Sequence, residues 1–222
     1  MNVMVIAPHP DDETLGCGGT LLKHRENGDK IFWVIVTAIS KSLNLSEERK
    51  KSRDKEIEKV SKIYGFSKVF KLNLPTIELD TIPTKEIVDK LSNCIKETEC
   101  EILYIPNYSD VHSDHKFVAD AAISCTKWFR YPSIKKVMVY ETLSETEFGI
   151  NNNLNNFNPN VFVNIEEYID KKIDIMNIFE SEVFELPFPR SNEALKALAI
   201  YRGVACGYKS AEAFMMLKEI ID

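Results

Sequence analysis

The sequence predicts an α/β fold: a three-layer, mostly parallel sheet of Rossmann-like form, with helices on both faces. Short apolar runs alternate with stretches of helical spacing in the order β-α-β-α-β-α-β-α-β. The apolar runs are continuous rather than alternating, as strands covered on both faces require. A third observation says where function should lie. Predicted strands one and four run straight into polar clusters, PHPDDE (8–13) and PNYSDVHSDH (106–115). Ligands of such sheets bind beyond the carboxyl ends of the strands, so both clusters should meet at one sheet edge.

The elements follow in order. VMVIA (3–7) is a buried strand, and residues 13–27 form a helix that Gly28 closes. KIFWVIVTA (30–38) is the second strand. Residues 46–65 form a helix with Ser46 as N-cap, Glu47 and Glu48 in its first turn and Gly65 at its end. KVFKLNL (68–74) is the third strand, stopped by Pro75, and Pro83 opens a helix over 83–98. EILYIP (101–106) is the fourth strand, 114–130 a helix and 135–141 the fifth strand. FGINNNLNNFNPN (148–160) is a loop. Residues 161–165 read as a strand, and 166–184 and 191–207 as helices. The segment 211–221 suits either a closing strand or a short helix.

The 222 residues suit one domain spanning 1–222. A formal charge of −6 argues against nucleic acid as a partner. The five cysteines have no metal-ligand spacing and read as reduced thiols of a cytoplasmic protein. The first apolar run lacks a basic lead, so no signal peptide is expected. No stretch approaches the roughly 20 apolar residues of a membrane span.

Of four histidines, His9, His112 and His115 fall in the two clusters. His24 lies between Lys23 and Arg25 and reads as a surface residue. Two histidines and a carboxylate make a catalytic zinc set that keeps a position open for water. In HPDD, one of Asp11 and Asp12 can bind metal while the other takes a proton from water. The residues alone do not say which does which. His115 falls in the first turn of the predicted helix, whose positive end favours a neutral imidazole. His112 precedes that helix; held protonated, it could steady an oxyanion and protonate a leaving amine. Asp114 is a candidate to orient or charge-balance one of these histidines. Adjacent aspartates also serve as ordinary N-caps, and one HxxH pair carries little. The conjunction at two strand ends is what weighs for a metal. GCGG (16–19) lacks GxGxxG spacing and follows acidic residues that would repel a pyrophosphate. Its glycines read as close helix–sheet packing.

With these residues in view, the sequence resembles the PIG-L/LmbE-like zinc-dependent N-acetylglucosaminyl deacetylases. PHPDDE and HSDH (112–115) carry the match, supported by RDKE (53–56) and YRGVACGYKSAEAF (201–214). The resemblance implies His9, Asp12 and His115 as ligands of Zn2+, with Fe2+ as an alternative metal. It implies Asp11 as general base and His112 as electrophilic or acid partner with Asp114 behind it. Arg53 matches an arginine that contacts substrate. The implied reaction removes acetyl from an N-acetylated amino sugar, giving acetate and a free amine. A small-molecule amino sugar is then the partner, and the protein is expected to form a homo-oligomer. An amidase for another sugar or thiol-conjugate amide, a non-catalytic metal-binding module and a nucleotide-dependent enzyme are the competing readings. Many family members carry Leu-Pro-Asp-Gly after the third strand, where this chain has LPTI with Thr76 in the Asp place. Residues 148–160 and 185–191 are expected to shape the pocket mouth. Arg190 and Arg202 could meet a phosphate or carboxylate on the substrate, though as isolated arginines they read first as ordinary surface residues.

Overall fold

The computed structural model describes residues 1–40, 46–149 and 157–221. Its strands are β1 (Asn2–Ala7), β2 (Lys30–Ala38), β3 (Lys68–Pro75), β4 (Ile102–Pro106), β5 (Lys136–Tyr140), β6 (Val161–Asn164) and β7 (Ala211–Glu219). Its helices are α1 (Asp12–Glu26), α2 (Glu47–Tyr64), α3 (Thr84–Thr98), α4 (Ser113–Ser124), α5 (Ile169–Met176) and α6 (Asn192–Val204). The strands form one sheet in the order β3-β2-β1-β4-β5-β7-β6. The β1–β2, β1–β4, β2–β3 and β4–β5 pairs are parallel. β7 pairs antiparallel with β5 and β6. Strand order reverses between β1 and β4, which makes their carboxyl ends the switch point of the sheet.

The continuous apolar runs are explained by two cores. Met4, Ile6, Val34 and Leu103 face one way and pack with Ile87, Leu91 and Val118 of α3 and α4. Val3, Val5, Trp33 and Tyr104 face the other way and pack with Leu21, Val60 and Tyr64 of α1 and α2. Alternate residues of one strand thus serve opposite layers, and both sets must be apolar. Gly16 and Gly19 of α1 pack close to the sheet as expected, whereas Gly18 faces Tyr64 of α2 and Lys172 of α5. A Cβ on Gly19 would lie 2.6 Å from Cγ2 of Ile165, and one on Gly16 would overlap the Tyr140 ring. Ser46 and Gly65 cap α2, with Gly65 at φ 73°.

Several expectations need correction. The helix expected over 114–130 stops at Ser124. A helix of that expected length would run roughly 25 Å, beyond the roughly 17 Å of β4 beside it; Trp128 and Phe129 instead stand exposed in the turns that follow. The helix expected over 166–184 shortens to α5, and the rest turns back so that Ser181 and Glu182 meet Arg53 of α2. Residues 211–219 form the closing strand, one of the two forms expected there. His24 is no surface residue: Asp29 (2.7 Å) and the Tyr104 hydroxyl (3.0 Å) hold its two ring nitrogens. Most of the Asn-rich segment 148–160 lies outside the described residues. Among those described, no helix is long and apolar enough to cross a membrane.

Candidate active site

β1 ends at Ala7, and the turn that follows is pinned when the Thr37 amide and hydroxyl both donate to Pro8 O, at 3.0 and 2.8 Å. The turn hands His9, Asp11 and Asp12 to the switch point. From the neighbouring strand, α4 begins at Ser113 with His112 as its N-cap, the Asp114 amide donating to His112 Nδ1 at 3.1 Å. The two clusters therefore face each other across a cavity of about 500 Å³.

Asp12 Oδ2 lies 3.3 Å from His9 Nδ1 and 3.4 Å from His115 Nε2. These three residues can offer one ligand atom each around a common point. The outward nitrogens are both taken by carboxylates: His9 Nε2 is 3.0 Å from Asp114 Oδ2, and His115 Nδ1 is 2.8 Å from Asp110 Oδ2. That is how proteins fix the tautomer and direction of metal-binding histidines. The donor set therefore fits a divalent metal, with a two-histidine, one-carboxylate composition that leaves a position for water.

The electrostatics agree. Burial opposes charge on His9, yet hydrogen bonds to Asp114 and Asp12 win and raise it to about 9. Burial likewise opposes charge on His115, but Asp12 and Asp110 raise it to about 10. The positive helix end that was expected to keep His115 neutral is outweighed by two carboxylates. Asp12 is held well below the usual carboxylate range, the two histidines overcoming its burial. The pocket attracts positive charge at the ligand atoms.

Asp11 is buried beside Asp12, and burial followed by the Asp12 charge raises it to about 7 against the pull of Arg190. Arg190 Nη1 donates to Asp11 Oδ2 at 3.1 Å. The Asp11 backbone stands at φ 142°, ψ −29°, a conformation that costs of order 1–3 kcal/mol for a residue with a side chain. His112 is lowered to about 4 by burial and by the charges of His9 and His115. It is neutral at pH 7, not held protonated.

A family model described as GlcNAc-PI de-N-acetylase (PIG-L) matches residues 4–126, which contain both polar clusters. The chain belongs to the PIG-L family. A diacetylchitobiose deacetylase of Thermococcus kodakarensis is 24% identical over 225 residues, covering 98% of this chain and 84% of that protein. The N,N'-diacetylchitobiose deacetylase of Pyrococcus horikoshii superposes with a TM-score of 0.79 at 22% identity, over 98% of this chain and 84% of that one. The 4-carboxy-2-hydroxymuconate hydratase GalB of Pseudomonas putida shares the fold, with a TM-score of 0.72 at 17% identity over 100% and 98% of the two chains. The last likeness shows that the fold by itself does not choose the reaction. PIG-L deacetylases are metal-dependent hydrolases, in keeping with the donor set seen here.

The remaining residues fall as follows within the PIG-L frame. Arg53 lines the cavity, donates to Pro10 O at 3.1 Å and pairs with Glu182 and Glu56. Asp114 was expected behind His112, but its carboxylate turns to His9, and only its amide meets His112. Thr76 Oγ1 (3.2 Å) and the Ile77 amide (2.8 Å) donate to that carboxylate, so the departure from Leu-Pro-Asp-Gly falls behind His9. Arg190 is not the surface residue expected. Arg202 lies apart from His9, Asp12 and His115, in a bidentate pair with Glu141 at 2.8 and 2.6 Å. Asp110 and Glu182 were not singled out from the sequence. Asp110 sits within PNYSDVHSDH, where a carboxylate just before two histidines is the available signal. Glu182 has no local signal, because its partners lie far away along the chain.

Proposed function

We propose that this chain is a zinc-dependent hydrolase that removes acetyl from an N-acetylated amino sugar of N-acetylglucosaminyl type. The observation that carries the reading is the pairing of a His9–Asp12–His115 donor set with a second, separately held carboxylate, Asp11, in one cavity. His9, Asp12 and His115 hold the metal, with zinc preferred because its catalytic sites take this donor composition. The metal, when bound, acts as a Lewis acid that eases loss of a proton from water and polarises the acetyl carbonyl.

The chain's own groups do the rest. Asp11, raised to about 7, is matched to taking a proton from water near neutral pH. It returns that proton to the sugar nitrogen as the C–N bond breaks, and acetate and a free amine leave. His112 accepts the Asp114 amide at Nδ1, so its proton sits on Nε2. From there a neutral ring donates a hydrogen bond to the carbonyl oxygen as charge builds there. Asp114 and Asp110 orient the ligand histidines, and Arg53 and Arg190 stand on the cavity wall for substrate contact. A cavity of this size, with Arg53, Arg190 and Glu145 set beside an apolar wall that includes Ile35, Ile39 and Ile57, suits a sugar-sized molecule.

The reading extends to one functional unit over 1–222, in a reducing cytoplasm that suits five free thiols. It extends also to a homo-oligomer, which light scattering on the purified chain tests. Acetate release from a panel tests the reaction: free N-acetylglucosamine, malate-, inositol- and nucleotide-linked forms, and diacetylchitobiose. Metal-stripped protein and Asp11→Asn are the controls. Release from one compound, lost in both controls, supports the reaction and names the substrate class. Zinc bound without release from any compound shifts weight to another amide or to the water-adding chemistry of the hydratase relative.

A further inference from the structure

Asp11 and Asp12 are neighbours in the chain, yet both carboxylates line one cavity. Consecutive side chains diverge by about 100° on a regular helix and about 180° on a strand. Two adjacent residues can serve one site only if the backbone between them departs from both, and it does so at Asp11, at φ 142°. Something must hold that departure.

Glu13 is fully buried in the first turn of α1. A first-turn glutamate ordinarily faces solvent near the positive helix end. This one folds back: its Oε2 accepts the Asp11 amide at 3.0 Å. Its Oε1 accepts the Thr14 hydroxyl at 2.7 Å, and Thr14 Oγ1 in turn accepts the buried Tyr64 hydroxyl of α2 at 3.1 Å. No cation pairs with Glu13 among the described residues. Burial with no cation beside it favours the neutral form of the Glu13 carboxyl, and both its oxygens are spent on the Asp11 turn and its brace.

We propose that Glu13 is a positioning residue for Asp11, braced by Thr14 and Tyr64 so that adjacent carboxylates enter one site as ligand and proton carrier. This rests on the reading of Asp11 as the proton carrier.

The test uses the zinc-loaded full chain with diacetylchitobiose as probe, and crystal structures of the variants. Glu13→Ala should lower kcat about 100-fold or more, with KM within about threefold and zinc content unchanged. Its Asp11 should leave the positive-φ conformation and turn out of the cavity. Glu13→Gln keeps an oxygen for the Asp11 amide, and should hold φ and keep kcat within about tenfold. Thr14→Val removes the brace at constant shape, should lower kcat about tenfold, and covers the case in which Glu13→Ala does not fold. On an Asp11→Asn background, Glu13→Ala should add less than about threefold, because coupled groups are not additive. Unchanged Asp11 geometry in Glu13→Ala, or Glu13→Gln as slow as Glu13→Ala, overturns the proposal. If the unmodified chain does not turn over the probe, the Asp11 geometry of the variants decides alone. Full turnover by Asp11→Asn, with Asp11 displaced in Glu13→Ala, would instead overturn the proton-carrier reading and leave the positioning intact.

Discussion

Asp110 and His115 meet at 2.8 Å through Oδ2 and Nδ1, and both are buried. The carboxylate is itself held: Asn107 Nδ2 and Thr146 Oγ1 donate to its other oxygen at 3.0 and 2.7 Å. A ring locked at Nδ1 presents Nε2 toward Asp12 in one orientation. Asp110→Asn keeps the shape but weakens the acceptor and loses the charge. It should reduce zinc affinity about 10- to 100-fold, as for other carboxylates behind histidine ligands. Competition against a chromophoric chelator measures this. Unchanged affinity would mean that His115 needs no support from Asp110.

The metal-free protein carries a pH signature. His9 and His115 are raised from 6.5 to about 9 and about 10, and Glu13 from 4.5 to about 8 by its burial. Each binds its proton more tightly when folded. The resulting stability is complete below the unfolded pKa and is lost as pH rises through the folded one. Metal-free protein should therefore melt lower at pH 9.5 than at pH 7. On the proposed ligand set, zinc would replace the protons on His9 and His115, so its affinity should rise over the same interval. The gain in melting temperature on adding zinc should be larger at pH 8.5 than at pH 6.5. Calorimetry in both states checks this, and a zinc effect that shrinks with pH would contradict the ligand assignment.

Ile77 is a β-branched residue at φ 66°, more than half exposed, in the glycine place of the Leu-Pro-Asp-Gly pattern that the sequence resembles. Left-handed backbone costs roughly 1–2 kcal/mol for a residue with a Cβ, against roughly 0.5–1 kcal/mol for the extra freedom of unfolded glycine. Ile77→Gly should keep the amide bond to Asp114 and stabilise the chain by up to about 1 kcal/mol, or about 2–4 °C in Tm. A lower Tm would show that the isoleucine side chain contributes more than its backbone loses.

The location of the site is legible in the sequence because two rules act together. Continuous apolar runs mark parallel strands, and parallel sheets place ligands at carboxyl ends. That suffices to bring His9, Asp11, Asp12, His112 and His115 to one edge. Which histidine Asp114 serves is not legible, since it depends on a carboxylate in α4 reaching the turn after β1. The roles of Arg190 and Glu182 are hidden for the same reason. Each is an isolated charged residue until the loop after α5 folds over α2. The overlong helices expected at 114–130 and 166–184 reflect local propensity, which takes no account of sheet width or of long-range ion pairs.

Arg190 makes the last of these points measurable. Its guanidinium lies 3.1 Å from Asp11 and 3.3 Å from Glu182, and its charge is the chief influence holding Asp11 down against burial and Asp12. Arg190→Gln removes that charge and leaves an amide of similar reach. Asp11 should then bind its proton more tightly, and the acid limb of kcat/KM should move to higher pH by roughly one unit or more. Above that limb Asp11 is ionised in both proteins, so the two rates should converge unless Arg190 also holds substrate. A KM increase that persists at high pH would assign it that second role. An acid limb that stays in place would mean that the ion pair does not set the proton affinity of Asp11.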